Sequence, residues 1–442
     1  MLIKNRFNAY NKKLSNKTNE PKVKPIYFII VMVILSFIII KIIFRHSNSD
    51  NKIDTNENVN KNINKSLNEN INENIYLYLT DEEQLMYAMN HSEKFITQSA
   101  EGILYYKNSM KVYDNPTVTV VIPIYNAQDT IKRAVRSVQN QNIQDFEIIL
   151  VNDNSTDQSL EVIKELQNED PRIHLIDNKK NMGTLYSRCV GALAAKGKYI
   201  FPLDNDDMFA DEDVFKVVTD EAINNNMDVI KFRAFCGHGI ESLLNRKARK
   251  KILMHDKLGL TIYQPQLSYY PLIKYKHYLY DVFLWSKCIK TDIYKKAVNM
   301  YGEQNYSVFT IGWEDAIINF IILQFANSFK FIGKYGIFNI FTKHSSYGKT
   351  PARMNHIYEL RFLEAAFNFS KNTTQGKETM VYIVTTTLTR HGMNKTLLRE
   401  EEQLNYFNET LKKIMNCTYI SDKDKNLMKE TYFSVLGKHF NY

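Results

Sequence analysis

Between residues 117 and 203 the chain alternates short strand patterns with short helix patterns, and this alternation constrains the fold more than any other feature. Runs of β-branched and apolar residues are typical of buried strands, whereas apolar residues that recur every three or four positions are typical of helices. The predicted strands cover residues 118–122, 146–151, 173–176 and 199–203. Strands and helices at this spacing predict right-handed βαβ units, so we expect an α/β fold with a Rossmann-like, mostly parallel sheet flanked by helices.

Polar residues follow each predicted strand at the point where the strand ends. They are Tyr125 and Asn126 after the first strand, Asn152, Asp153 and Asn154 after the second, Asn181 and Gly183 after the third, and Asp204, Asp206 and Asp207 after the fourth. In open α/β sheets, ligands bind at the carboxyl ends of the strands. Four polar loops at one edge of the sheet therefore predict a binding site there.

Three carboxylates lie within four residues in the run of Asp204, Asn205, Asp206 and Asp207. Like charges at this spacing repel one another unless a positive charge offsets them. A divalent cation shared with the phosphates of a substrate is the usual partner of such a group. An acidic turn ahead of a helix is the alternative interpretation. The chain has neither a G-x-G-x-x-G after the first strand nor a P-loop lysine motif, which argues against NAD-type dehydrogenases and P-loop NTPases.

Several short motifs resemble those of family 2 glycosyltransferases with the GT-A fold, in the same order and at the same spacing. Residues 118–126 resemble the opening strand of that family, and residues 151–157 (V-N-D-N-S-T-D) resemble its V-D-D-G-S-T-D loop. Residues 181–189 resemble its N-x-G and A-R-N elements, and residues 203–207 resemble its D-x-D motif. The departures from the family pattern are Asn152 for Asp, Asn154 for Gly and Cys189 for Asn.

The resemblance continues more weakly downstream and ends near residue 350. Residues 284–289 resemble the W-x-K strand on the acceptor side of the family, and residues 313–315 resemble its E-D motif ahead of an apolar helix. Residues 341–346 resemble a late loop that folds over the donor phosphates. Trp285 is either part of the core or a platform on which a sugar stacks.

The resemblance implies a metal-dependent, inverting glycosyltransferase of the hexosyl- or N-acetylhexosaminyl-transferase type. The donor would be a nucleotide sugar, and we expect a UDP-sugar. The acceptor would be a hydroxyl group of a glycan, glycoprotein or glycolipid. The cofactor would be Mn²⁺ or Mg²⁺, acting as a Lewis acid on the leaving phosphate.

The resemblance also implies a role for each matching residue. On the donor side, Asp153 would accept a hydrogen bond from uracil N3, and Arg188 would contact the base or the phosphates. The backbone around Pro123, Tyr125 and Asn126 would lie along the nucleoside. The residues expected to contact the ribose or the metal are Asp204, Asp206, Asp207 and His344. Asp315 is the preferred general base, and Glu314 is the alternative.

The N-terminal segment predicts a membrane anchor. Residues 1–25 carry seven Lys or Arg against one acid, and residues 26–44 are apolar except for Lys41. This length spans a bilayer, and the positive-inside rule leaves residues 1–25 in the cytosol as a basic tail. A cleaved signal peptide and a buried helix of a soluble protein are the rival interpretations. The first fits less well because a long polar segment precedes the apolar run.

The remaining segments complete the predicted layout. Residues 45–75 are an Asn-rich, low-complexity stem, residues 76–116 a helical stem or neck, residues 117–350 the GT-A domain, and residues 351–442 a helical C-terminal region. The chain has four cysteines and no C-x-x-C pair, so a zinc site is not expected. The sequence allows one or two disulfides but does not say which cysteines would pair.

We therefore expect a single-pass type II membrane glycosyltransferase of the secretory pathway, in the Golgi, with a lumenal catalytic domain. A polyprenyl-phosphate sugar synthase and a non-catalytic, membrane-tethered glycan-binding protein are the alternatives. The basic run at residues 246–251 is either a solvated face or a surface for an acidic acceptor. A nucleic-acid partner is not expected, because it conflicts with the membrane span.

Overall fold

The computed structural model describes residues 95–103, 110–238, 250–251, 261–263, 283–309, 314–341, 361–362, 364–365, 367–369, 401–418 and 420–436. The predicted basic tail, the apolar segment at residues 26–44 and the Asn-rich stem lie outside these residues, as does His344. Within the described ranges, no helix combines the length and the hydropathy that a membrane span requires. The anchor at residues 26–44 therefore stays a prediction.

The described α/β region begins with the predicted alternation of strands and helices. Its elements are β1 (Val118–Ile124), α1 (Ile131–Gln139), β2 (Phe146–Asn152), α2 (Ser159–Glu169), β3 (Ile173–Asp177), α3 (Thr184–Ala194), β4 (Tyr199–Pro202), β5 (Met208–Phe209) and α4 (Val214–Asn224). Every residue of β1 and β2 is buried, as is typical of parallel strands that are covered by helices on both faces. The first four strands lie within a few residues of their predicted positions.

The second half adds strands that the alternation does not predict. Its elements are β6 (Val229–His238), β7 (Lys250–Lys251), β8 (Thr261–Tyr263), β9 (Lys287–Lys290), α5 (Thr291–Tyr301), α6 (Glu303–Tyr306), α7 (Glu314–Phe325) and β10 (Ser328–Phe341). The C-terminal region contains α8 (Glu401–Met415) and α9 (Asp422–Leu436), and residues 361–362, 364–365 and 367–369 are also helical.

The strands form one sheet in the order β3-β2-β1-β4-β9-β6-β10-β5, with β7 beside β6 and β8 beside β10. Strands β3, β2, β1 and β4 are parallel, and so are β6 and β10. Strand β9 is antiparallel to both β4 and β6, and β10 is antiparallel to β5 and β8. The expectation of a mostly parallel sheet is therefore wrong for the second half, which makes the sheet mixed. No single βαβ crossover joins β4 to β9, so nothing forces that pair to be parallel.

Two apolar clusters cover the two faces of the sheet. Alternate residues of β1 point to opposite faces, so Val121 belongs to one cluster, while Val120 and Ile122 belong to the other. Residues of α3, α5, α7, α8 and α9 lie in the first cluster, and residues of α1, α2 and α4 lie in the second. Trp285 is 5% exposed within the second cluster and stacks on Phe283, with the ring centroids 4.8 Å apart. The buried position of Trp285 fits the interpretation that it is part of the core rather than a platform for a sugar.

Helix α3 packs unusually close to the sheet because of Gly191. A Cβ atom at that position would lie 2.4 Å from Cγ1 of Val121 in β1 and 3.2 Å from Cγ2 of Val151 in β2. Only glycine permits this approach, which sets the distance between α3 and the carboxyl edge of the strands. The neighbouring Cys189 is a buried free thiol, as is Cys288, and the partly exposed Cys417 is also free. These three thiols form no disulfide.

Candidate functional site

The loops that follow β1 and β2 are joined to each other by hydrogen bonds at the carboxyl edge of the sheet. The backbone N–H of Asn126 donates to Oγ of Ser155 (3.1 Å), and the N–H of Thr156 donates to Oδ1 of Asn126 (2.8 Å). Asn126 and Asn154 both have positive φ angles, 51° and 57°. Asparagine tolerates this region better than most residues, which explains how Asn154 can replace the glycine of the family motif.

The other departure in this loop, Asn152, also has a structural reason. Its side-chain amide donates to Oδ1 of Asp177 on the neighbouring strand β3 (2.8 Å). An aspartate at position 152 would instead bring two carboxylates together at this point, and like charges repel each other. The amide therefore joins the ends of β2 and β3.

Asp153 is buried just after β2, where its carboxylate holds the loop that leads into α3. Its Oδ1 accepts hydrogen bonds from Nδ2 of Asn178 (2.8 Å) and from the backbone N–H of Met182 (2.9 Å). Its Oδ2 accepts one from the N–H of Gly183 (2.7 Å). A carboxylate oxygen can accept two hydrogen bonds, so Oδ2 keeps capacity for one further donor such as uracil N3–H. The contact with uracil stays a prediction.

Arg188 on α3 connects the acidic loop after β4 to the start of α7. It is 4% exposed, and its Nη2 donates to Oδ1 of Asp204 at 2.5 Å. Its Nη1 donates to Oδ1 of Asp315 and lies 3.4 Å from Oε1 of Glu314, both in the first turn of α7. The other oxygen of Asp315 accepts from the backbone N–H of Leu284 (3.3 Å). One guanidinium thus joins three carboxylates from two distant parts of the chain.

Both terminal nitrogens of Arg188 are directed at carboxylates, and its Nε is buried without a hydrogen-bond partner in the part of the chain that the structure describes. This arrangement suits Arg188 to orient Asp204 and Asp315. Its contact with the nucleotide base or phosphates stays a prediction.

Burial places the pKa of Asp315 near neutrality. Burial raises the pKa of Asp315 to about 7, with smaller contributions from Glu314 and Asp204, against the lowering effect of Arg188. Burial disfavours the charged form of Arg188, but Asp315, Asp204 and Glu314 together raise its pKa above the ordinary value. Arg188 therefore stays positive, while Asp315 can exchange a proton near pH 7, as a general base must.

The acidic loop is held from three directions. Nδ2 of Asn205 donates to the carbonyl of Pro123 in β1 (2.9 Å), and Nη2 of Arg133 in α1 donates to the carbonyl of Asp206 (2.7 Å). Asp207 is fully buried, and Oδ1 of its side chain accepts from the backbone N–H of Ile340 in β10 (2.8 Å). These contacts fix the backbone of the loop at the end of β4.

Asp207 therefore acts as an anchor of the loop. Both of its oxygens also lie within hydrogen-bond distance of Nδ2 of Asn339, at 3.2 and 3.0 Å. Burial raises the pKa of Asp207 well above the ordinary range, and the charges of Asp206 and Asp204 raise it further. A carboxyl group so placed suits a position behind the metal ligands better than one among them.

The sequence patterns did not single out two residues of this site, Arg133 and Asn339. Arg133 is an interior position of α1, and burial lowers its pKa while Asp206 and Asp207 act to raise it. Asn339 is an interior position of β10. Neither belongs to a recognisable motif, and each acquires its role only through contacts with residues far away in the chain.

The donor set at this edge suits a hard divalent cation. The described residues contain no group of three or more His, Cys, Asp or Glu side chains already arranged around a metal position. Five carboxylates nevertheless gather near two arginines: Asp204, Asp206, Asp207, Glu314 and Asp315 near Arg133 and Arg188. Negative charge is in excess, and Mg²⁺ or Mn²⁺ commonly takes only one or two protein carboxylates and completes its shell with phosphate oxygens. Asp206 and Asp204 are the residues that fit this role.

Comparison with known proteins agrees with this geometry. Residues 119–265 match the family model for glycosyl transferase family 2. This chain carries a family 2 glycosyltransferase domain. It is 36% identical over 101 residues to an uncharacterized glycosyltransferase of Haemophilus influenzae, an alignment that covers 23% of this chain and 40% of that protein. It is 41% identical over 92 residues to a chondroitin synthase of Pasteurella multocida, which covers 21% of this chain and 9% of the synthase.

The solved structures show the same fold. The structure of S. aureus TarS residues 1–349 in complex with UDP-GlcNAc matches with a TM-score of 0.54 and 14% sequence identity, over 72% of this chain and 87% of that one. At this identity the match establishes a GT-A-like α/β fold. The chain spans 40% or less of the length of the curated relatives named above, so their shared region is the domain rather than the whole protein.

Proposed function

We propose that this protein transfers a sugar from a nucleotide sugar, a UDP-sugar, to a hydroxyl group of a glycan, glycoprotein or glycolipid acceptor, with inversion at the anomeric carbon. The observation that carries the proposal is the cluster at the carboxyl edge of the sheet. There, Arg188 joins Asp204 of the acidic loop to Asp315 of α7, so a candidate metal ligand and a candidate base share one site.

On the donor side, the first two loops would hold the nucleoside. Asp153 has one acceptor position left on Oδ2, and its backbone N–H donates to the carbonyl of Ile124 (2.8 Å). Tyr125 follows Ile124 and is 47% exposed, so its ring is available to a base. The backbone of Pro123 and Asn126 would complete the surface that contacts the nucleoside. Asp206 and Asp204 would hold Mn²⁺ or Mg²⁺, and the bound cation would supply Lewis-acid stabilisation to the leaving diphosphate.

On the acceptor side, Asp315 would accept the proton of the attacking hydroxyl. As this proton leaves, the acceptor oxygen forms a bond to the anomeric carbon, and the bond from that carbon to the diphosphate oxygen breaks on the opposite face. The nucleoside diphosphate departs with the bonding electron pair. A single displacement of this kind requires no nucleophilic residue on the protein. Arg188 keeps Asp315 oriented, and Glu314 lies beside it as the alternative base.

The relatives suggest which donors to examine first. TarS was solved with UDP-GlcNAc, and the matched relatives include a chondroitin synthase and a hyaluronan synthase, both of Pasteurella multocida. A UDP-N-acetylhexosamine is accordingly the first donor to try for this chain. We further propose that residues 26–44 anchor the protein as a type II membrane protein of the secretory pathway, in the Golgi. The support is the basic tail followed by the apolar run in the sequence.

The test is nucleotide release from a panel of nucleotide sugars, measured with and without Mn²⁺. Acceptors should include neutral glycans and a polyprenyl phosphate. We expect release from one UDP-sugar only when metal is present, and its loss in Asp206→Asn but not in the control Asp220→Asn, which alters an exposed carboxylate on α4. Transfer to the polyprenyl phosphate would instead identify a polyprenyl-phosphate sugar synthase. UDP binding without release, with every acceptor present, would support the non-catalytic glycan-binding protein.

A further inference from the structure

A cavity lies at the opposite edge of the sheet from the candidate catalytic site. Its volume is about 410 Å³, and it is lined by residues 195–198 ahead of β4, by Lys290 at the end of β9, and by the first turns of α5. Tyr199 of β4 pairs with Lys290 of the antiparallel β9, so this cavity lies at the amino ends of the parallel strands. Strand β1 has seven residues, so it separates the two edges by about 23 Å.

Lysine side chains dominate the lining of this cavity. Lys196, Lys198, Lys290 and Lys295 come from three different segments, and Asp292 is the acidic residue among them. Lys290 lies 3.5 Å from Asp228. The other three lysines form no ion pair with any carboxylate in the part of the chain that the structure describes. Two carboxylates oppose these three lysines: Asp292, and the buried Glu147, whose Oε1 accepts from the backbone N–H groups of Lys196 (2.5 Å) and Gly197 (3.2 Å). Positive charge remains in excess, which favours the binding of an anion.

The backbone beneath these lysines is held by hydrogen bonds and by close packing against β1. Thr291 at the start of α5 donates from Oγ1 to the carbonyl of Gly197 (2.5 Å) and from its N–H to the carbonyl of Lys198 (3.1 Å). A Cβ atom on Gly197 would lie 2.6 Å from the backbone nitrogen of Thr119, so the loop is pressed against β1. A preformed floor lowers the entropy that a ligand loses on binding, since only the lysine side chains must become ordered.

We propose that this cavity binds a phosphate group, at a site distinct from the sugar-transfer centre and independent of the proposed reaction. A phosphate carries close to two negative charges and three acceptor oxygens, whereas a carboxylate carries one charge, so several lysines around one cavity suit the phosphate better. Lysine binds phosphate as a point charge and needs no fixed geometry. The source is either a soluble phosphate or diphosphate compound or the headgroup of an anionic lipid.

The test compares binding of inorganic pyrophosphate to the full-length protein and to variants, by calorimetry in EDTA. EDTA removes the divalent cation that pyrophosphate would need at the acidic loop. The double variant Lys196→Gln with Lys198→Gln should bind pyrophosphate about five- to thirtyfold more weakly, since two exposed charge interactions are lost. Lys295→Gln alone should show a smaller loss. The matched control Lys164→Gln, an exposed lysine on α2, should bind like the wild type.

A second arm distinguishes the source of the phosphate. Wild type and the double variant are compared for binding to vesicles that contain phosphatidylglycerol, so the N-terminal segment is the same in both. If the double variant binds pyrophosphate more weakly than the wild type, the ligand is assigned as a soluble phosphate compound. If it binds only the vesicles more weakly, the ligand is assigned as a lipid headgroup. If the lysine variants match the wild type with both probes, the proposal is wrong. Circular dichroism without ligand checks that each variant is folded.

Discussion

Lowering the pH below neutrality should slow sugar transfer through the protonation of Asp315. A general base works only in its deprotonated form, and burial places the pKa of this carboxyl at about 7. At that pKa, about half of the enzyme has an ionised Asp315 at pH 7, about one tenth at pH 6 and about one hundredth at pH 5. The value of kcat/KM should therefore fall about tenfold for each unit of pH below 7 and reach a plateau above about pH 8.

The assay is kcat/KM for UDP release in the presence of acceptor, measured from pH 5 to pH 8.5 with Mg²⁺. Asp315→Asn should lose about 10²- to 10⁴-fold in activity and should lack the pH-dependent limb. Asp220→Asn, which alters a carboxylate on α4 that is 47% exposed, should keep the wild-type profile. A plateau that extends down to pH 5 in the wild type, with circular dichroism showing a folded protein, would refute Asp315 as the titrating base.

The same carboxyl should also affect stability, with a definite sign. Its pKa in the folded protein, about 7, lies above the ordinary value of 3.8, so the folded state binds the proton more tightly than the unfolded state. This contribution to stability is complete below about pH 4 and is lost as the pH rises to about 7. Asp315→Asn does not titrate at this position. The melting temperature of the variant minus that of the wild type should therefore increase as the pH rises from 5 to 7.5. A constant difference across that range would contradict the assignment.

Three substitutions test the remaining parts of the site and core. Asp206→Ala should reduce metal-dependent turnover at least about 10²-fold while the melting temperature stays unchanged; retained activity would remove Asp206 from the metal site. Arg188→Met should lower the free energy of unfolding by about 3–5 kcal/mol in urea titrations, because it leaves buried carboxylates unpaired, and wild-type stability would argue against the bridge. Gly336→Ala places a Cβ 2.5 Å from the ring of Phe232 and should lower the free energy of unfolding by about 1–3 kcal/mol in urea titrations; wild-type stability would contradict this close packing.

The sequence was most informative where structure depends on local pattern. Strands β1 to β4 and the polar loops at their ends were predictable, because buried strands and amphipathic helices repeat at short range. The direction of β9 was not predictable, since its paired residues in β4 lie 89 and 91 positions away in the chain. The link from Arg188 to the start of α7 was not predictable for a similar reason. The motif of Arg188 was visible, but its contact with Asp315 spans 127 residues and exists only in the folded chain.

The anchoring of Asp207 by β10 bears on where an autonomous folding unit ends. The family match stops at residue 265, yet the acidic loop is held by Asn339 and Ile340. A fragment that ended at residue 265 would remove the partners of Asp207 in β10. It would also expose the edge of β4 that β9 covers. Such a fragment should aggregate rather than bind nucleotide. The segment that matches the family model is therefore shorter than the folding unit, and the smallest stable module should extend at least through Phe341.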